Sequence, residues 1–308
     1  MRAAVLEAAG QNPTVRDFDE PDGDPRRDIV EVTLAGCNPV DLILASGKMG
    51  QPVIPSVVGR EGVGTLGGKR VYFNAPPDPF GSWAQRCRID PAKTFPVPDG
   101  VDDDLAVACG IAGLAAWLPL TRHADVSHGQ SVLVLGATGV VGRIAVQVAK
   151  LLGAGRVVGA GRNPDALEQA RALGADATVQ LGGDDDAESL RAEAGDAGGY
   201  DVVIDLVYGK PFLAALDATA NGATLITVGE GAGPTAEVPF RSLTGRTHVG
   251  HLNDAMGPDV LRDGYREITE HAAEGRISVE TRRYSLEDAQ RAWHDQESGP
   301  HIKLGVAP

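Results

Sequence analysis

The chain has 308 residues, 28 basic and 42 acidic, for a net charge of −14, and 43% of it is hydrophobic. That acidity disfavours nucleic acid and anionic membranes as partners, and no run approaches the roughly eighteen apolar residues that span a bilayer. The start, Met1 to Glu7, turns polar too early for a signal peptide, so a cytoplasmic protein of one large or, more readily, two domains is expected.

The first hundred residues read as short strands between Gly, Pro and Asp clusters: Ala3–Glu7, Asp28–Leu34, Val57–Thr65 and Lys69–Phe73. Asn74 to Pro79 reads as a surface loop. Cys37, Cys87 and Cys109 are odd in number and widely spaced, which predicts small buried thiols and no disulfide framework. From Leu105 to Leu120 apolar residues recur at helical spacing, and strands and helices then alternate. The spacing predicts strands at Val132–Leu135, Arg156–Ala160, Ala177–Val179, Asp201–Val207 and Ala223–Val228. Helices are predicted at Arg143–Leu152, Pro164–Leu173 and Phe212–Ala220, with loops at Gly182–Asp186 and Gly195–Gly199. Such alternation argues for a parallel sheet covered on both faces. A further strand is predicted at His248–Leu252 and a helix at Pro258–Glu274, ended by Gly275. A helix capped at Ser285–Asp288 then runs to Glu297, and Ile302–Val306 makes a final strand.

The stretch Val132 to Gly142 carries the most chemistry. A β-branched run enters Gly136, and Ala137-Thr138-Gly139-Val140-Val141-Gly142 stands where a dinucleotide fingerprint would be G-x-G-x-x-G. Gly139 lets a pyrophosphate approach the backbone, Gly142 lets the helix pack on the strand, and the helix N-terminus offers free N–H groups. The next strand ends at Gly161-Arg162-Asn163 with no carboxylate before Asp165. An acid there would hold a ribose 2′-hydroxyl, whereas Arg162 suits a 2′-phosphate, so NADP(H) is the expected cofactor. Further cofactor contacts are expected at the carboxyl ends of later strands: Leu206 and Val207, Val228 and Gly229, and His251, Leu252 and Asn253.

The layout resembles the medium-chain dehydrogenase/reductase superfamily, in its zinc-independent quinone oxidoreductase branch. The likeness rests on Gly36-Cys37-Asn38-Pro39-Val40-Asp41, Gly59-Arg60-Glu61-Gly62-Val63-Gly64, Gly81-Ser82-Trp83-Ala84, the fingerprint, Asn221-Gly222-Ala223 and the tail His301-Ile302-Lys303-Leu304. It implies a GroES-like β-barrel catalytic domain (1–109 and 254–308) and an inserted Rossmann domain with a doubly wound parallel sheet (110–253). It also implies a homodimer, paired by an edge near Thr247–Leu252. Only Thr65 to Lys69 separates two strands that relatives join by a longer segment, so the catalytic domain looks trimmed.

Zinc-dependent relatives bind metal where this chain resembles them with Asn38, Arg60 and Ile111. Asn is a poor ligand and Arg offers no lone pair, so no metal is expected. Asn38 and Asp41 fall where related reductases place polar residues beside the nicotinamide; alternatively, Asn38 forms a turn and Asp41 caps the next helix. Arg60 either binds a substrate carboxylate or enolate oxygen, or pairs with Glu61 or Asp41. Tyr72 is either a proton donor or a packing residue. Ala115 stands where many relatives carry a Thr. Together these imply hydride transfer from NADPH to a quinone or an α,β-unsaturated carbonyl. The alternatives are an enoyl or carbonyl reductase of one biosynthetic intermediate, or a non-catalytic NADPH-binding protein.

Overall fold

The computed structural model describes residues 1–24, 28–195 and 198–308. The chain divides into two compact units, 1–112 with 257–308, and 113–256. The first unit opens with β1 (Arg2–Leu6), β2 (Thr14–Asp17), β3 (Ile29–Cys37), helix α1 (Pro39–Ala45), β4 (Ser56–Val57), β5 (Glu61–Leu66), β6 (Lys69–Asn74), β7 (Arg86–Arg88), β8 (Thr94–Pro96) and α2 (Asp103–Ala108). Helix α3 (Ile111–Leu118) follows, ending in a π turn at Pro119–His123.

The second unit then alternates: β9 (Ser131–Leu135), α4 (Val140–Leu151), β10 (Arg156–Gly161), α5 (Pro164–Ala172), β11 (Ala177–Gln180), α6 (Asp186–Ala192), β12 (Tyr200–Asp205), α7 (Gly209–Asp217), β13 (Thr219–Thr227) and β14 (Thr247–Gly250). Its six strands are all parallel, in the order β11-β10-β9-β12-β13-β14. With β9 taken as the first strand this reads 3-2-1-4-5-6, the dinucleotide-binding order, and its switch point lies between β9 and β12. Strand β9 is buried along its whole length, as a central strand covered on both faces must be.

The chain returns to the first unit through α8 (Pro258–Ala273), β15 (Thr281–Ser285), α9 (Ala289–Glu297) and β16 (Lys303–Ala307). There the sheet order is β15-β16-β3-β5-β6-β8, with β7 beside β3, and a three-stranded sheet runs β2-β1-β4. Only β15 and β16 pair in parallel within the larger sheet, which is therefore mixed. One core joins the two: Ala4 and Leu6 of β1 cluster with Val30 and Val32 of β3 and Leu304 of β16.

Several expectations are corrected. The single strand predicted over Val57–Thr65 is two, because Gly59 takes φ +101° and turns the backbone out of the sheet. The predicted helix from Leu105 to Leu120 breaks at Cys109-Gly110 and ends in the π turn at Pro119. Ser285 does not cap a helix. Its hydroxyl donates to Asp288, and a 3-10 turn precedes α9. The loop expected at Gly182–Asp186 is present as far as Asp185, and the unpredicted helix α6 starts at Asp186, whose carboxylate accepts from the Gly182 and Gly183 N–H groups. Of the loop predicted at Gly195–Gly199, Asp196 and Ala197 lie outside the described residues.

Candidate functional site

In the second unit the phosphate-binding turn is built from glycines with different tasks. Gly136 takes φ +83°, and its N–H and that of Ala137 both donate to Ala160 O, at 2.9 and 3.0 Å, tying the turn to β10. A Cβ on Gly142 would sit 2.2 Å from Gly136 O, so only glycine lets α4 approach the turn this closely. A Cβ on Gly139 would meet nothing nearer than 3.7 Å, so that position is open on its outer side. Gly139 is the N-cap of α4 and has no side chain to cap with. The first-turn N–H groups of Val140, Val141 and Gly142 therefore lack intrahelical acceptors, which is the donor set an anion takes. Thr138 is buried and its methyl would lie 2.8 Å from a Cβ on Gly161, which explains a glycine at the end of β10.

Beyond Gly161, Arg162 is exposed, and its carbonyl accepts from Gln180 Nε2 at 3.4 Å. Asn163 caps α5, its Oδ1 accepting from Ala166 N at 3.2 Å. At the switch point, buried Asp205 accepts from the Val207 and Tyr208 N–H groups at 3.0 and 2.8 Å, and burial raises its pKa. Asp205 O takes the Val228 N–H, and a Cβ on Gly229 would strike Leu206 O at 2.5 Å. A Cβ on Gly136 would lie 3.0 Å from Val207. The turn after β9 and the segments after β12 and β13 thus meet, bringing Gly136, Leu206, Val207, Val228 and Gly229 together.

His251 stands apart from that group. It is 3% exposed, and its Nδ1 lies 3.1 Å from His123 Nε2 while its Nε2 lies 2.9 Å from Asn253 Oδ1. Burial is the main reason its pKa is lowered. Leu252 between them is 64% exposed. Ala115 is buried in α3.

In the first unit, Asn38, Tyr72 and Ile111 converge on a residue that sequence reasoning left out of the site, Glu61. Its carboxylate is fully buried. Oε1 accepts from Asn38 Nδ2 at 2.9 Å and Lys303 Nζ at 2.6 Å, and Oε2 from Tyr72 OH at 2.8 Å and Ile111 N at 2.7 Å. Lys303 Nζ also donates to Asn38 Oδ1 at 2.6 Å and Cys37 O at 3.3 Å. Two glycines make room: a Cβ on Gly36 would stand 2.5 Å from Glu61 Oε1, and one on Gly110 would stand 2.4 Å from Oε2. Both partners were in view, Glu61 beside Arg60 and Lys303 in the tail, but their meeting depends on β16 pairing with β3.

Tyr72 is fully buried, stacked on Tyr265 at 4.6 Å, and burial with the Glu61 charge pushes its phenol well above the ordinary range. Asp41 is 3% exposed; its Oδ2 accepts from Asn38 N at 2.8 Å, the closing bond of α1, while its Oδ1 is a buried oxygen without a hydrogen bond. Burial is the main reason its pKa rises to about 7, with Lys303 and Arg60 pulling the other way. Arg60 is half-buried, its carbonyl accepting from Ala75 N at 2.7 Å. The three cysteines are buried and unpaired, and burial pushes each thiol up, Cys109 to about 12. Among the described residues no His, Cys, Asp or Glu cluster is arranged to hold a metal ion, and no helix is long and apolar enough to cross a membrane.

The zinc-binding dehydrogenase family profile matches residues 140–265. A quinone oxidoreductase of Pseudomonas aeruginosa is 27% identical over 294 residues, covering 90% of this chain and 89% of that one. The chain is similar to the quinone oxidoreductase-like branch of the medium-chain dehydrogenase/reductase superfamily. That similarity supports an oxidoreductase with a nicotinamide cofactor. A mycobacterial structure complexed with NADPH matches it with a TM-score of 0.89 and 25% identity, covering 100% of both chains. A phenolphthiocerol/phthiocerol polyketide synthase of Mycobacterium tuberculosis contains a segment 29% identical over 299 residues, covering 91% of this chain and 13% of that protein.

Proposed function

We propose that this medium-chain reductase uses NADPH, without a metal, to reduce a quinone or an α,β-unsaturated carbonyl. The observation that carries the cofactor reading is the uncapped N-terminus of α4 at the switch point, followed at the end of β10 by exposed Arg162 and no carboxylate. The fit to a dinucleotide rests on the open side of Gly139 and the free donors of the first turn of α4. Val140, Val141 and Gly142 N–H groups would hold the pyrophosphate, and Arg162, beside Gly161 and Asn163, the 2′-phosphate. Leu206, Val207, Val228, Gly229, His251, Leu252 and Asn253 would line the rest. When bound, the cofactor supplies a hydride.

The substrate oxygen gains negative charge as its β-carbon or ring is reduced. Asn38 meets it with the second Nδ2 hydrogen, the first being given to Glu61. Asp41, with a pKa of about 7, carries a proton part of the time at neutral pH and serves as the proton source, with Arg60 adding positive charge nearby. Tyr72 supports Glu61 and takes no part in proton transfer. The absence of a metal is supported by the donors at the matching positions: an amide, a guanidinium and an isoleucine. A cytoplasmic location is supported by the three free thiols. A homodimer through β14 is supported by its place at the end of the sheet and by Leu252 and Phe240, 64% and 85% exposed.

Replacing Arg162 with Ala tests the cofactor. The NADPH Michaelis constant should rise about 10- to 100-fold, the worth of a charged hydrogen-bonded contact, with little change for NADH. An unchanged NADPH constant defeats the reading. The polyketide synthase similarity favours a second substrate reading, an enone or carbonyl intermediate of one biosynthetic sequence. Turnover of a single acyl enone with no quinone activity would select it, and NADPH binding without any turnover would select a non-catalytic role.

A further inference from the structure

We infer that Glu61 and Lys303 are positioning residues that fix the Asn38 side-chain amide in one of its two orientations. The inference rests on the reading above, in which Asn38 meets the substrate oxygen. An asparagine amide is nearly symmetric in shape, so turning it over exchanges a donor for an acceptor with little steric penalty. Here each end faces a partner that accepts only one orientation. Lys303 is an ammonium with no lone pair, so the atom 2.6 Å from it must be the amide oxygen. Glu61 is a carboxylate with no proton to give, so the atom 2.9 Å from Oε1 must be the amide nitrogen.

Neither partner has capacity left for a ligand. The three Lys303 protons go to Cys37 O, Asn38 Oδ1 and Glu61 Oε1, and Glu61 already accepts from four donors. Both are buried, Glu61 fully and Lys303 at 3% exposure, so neither touches a substrate. A buried ion pair is weak as a source of stability, and in some proteins polar pairs of this kind serve to hold one geometry, the role inferred for this one. The glycines at 36 and 110, which leave space for the carboxylate, belong to the same arrangement.

The test reads the amide directly. In the wild-type protein the Asn38 side-chain N–H signals, assigned by their loss in Asn38→Ala, should exchange slowly with water because one hydrogen is held by Glu61. In the neutral double variant Lys303→Met/Glu61→Gln, those signals should exchange faster and kcat should fall roughly 10- to 100-fold, with the NADPH Kd within about twofold of wild type. Lys303→Arg keeps the cation and should restore slow exchange and most of kcat. Fast exchange with water in the wild type, or slow exchange and unchanged kcat in the double variant, overturns the inference. An Asn38→Ala variant that keeps full kcat instead defeats the reading of Asn38 as a substrate contact, and the amide signals then still report the clamp.

Discussion

Asp41 makes the stability of the first unit depend on pH in the direction opposite to most carboxylates. Its pKa rises from 3.8 to about 7 because the folded chain buries it at 3% exposure with one oxygen unpaired. Well below pH 3.8 the group is protonated in both states and its burial is tolerated. As pH rises toward 7 the unfolded chain releases the proton first, so the folded state loses stability through that window, and above 7 the full penalty of about 4 kcal/mol is present. Between pH 5 and 8 the loss is about 2.5 kcal/mol. Asp41→Asn removes the titrating group and keeps an oxygen for the Asn38 N–H. Urea unfolding at the two pH values, followed by Trp83 and Trp293 in a Trp117→Phe background, measures the difference. The variant should gain about 2.5 kcal/mol on the wild type in going from pH 5 to pH 8. A gain that is equal at both pH values, or larger at pH 5, refutes the reasoning.

Gly142→Ala should destabilise the second unit by about 1–3 kcal/mol or more, because its Cβ would stand 2.2 Å from Gly136 O; thermal unfolding reads this. Gly139→Ala should leave unfolding unchanged, since its Cβ meets only Gly136 O at 3.7 Å, and should weaken NADPH binding in calorimetry. Leu252→Asp with Phe240→Asp should halve the mass in light scattering if copies pair along the β14 edge, and an unchanged mass rejects that pairing.

The centre of the second unit is legible because β9 and β12 carry runs of apolar residues and α4 repeats them every three to four residues, whereas the short polar helix α6 carries no such signal. The unit's glycine fingerprint therefore sits where strand, turn and helix demand. The first unit was harder. Strands β2, β7 and β8 are three or four residues long and carry too few apolar positions for a period, and Gly59 divides what reads as one strand. At the site, Asn38, Asp41, Arg60 and Tyr72 stand out singly in the sequence. Glu61 does not, because its partners, Lys303 at the chain's far end and the Ile111 N–H, are brought to it only by tertiary pairing. The capping role open to Asp41 is visible in the sequence, three residues after Asn38, and its bond to the Asn38 N–H is present.

The most direct test of metal-free NADPH-dependent reduction is label transfer by chelator-treated enzyme. NADPH deuterated at nicotinamide C4 is incubated with an α,β-unsaturated ketone, and the product is read by mass spectrometry and NMR. The account predicts one deuterium at the β-carbon, a solvent proton at the α-carbon, and full activity without metal. Tight NADPH binding with no label transfer to enones, quinones or aldehydes, or activity that returns only with added zinc, would contradict it.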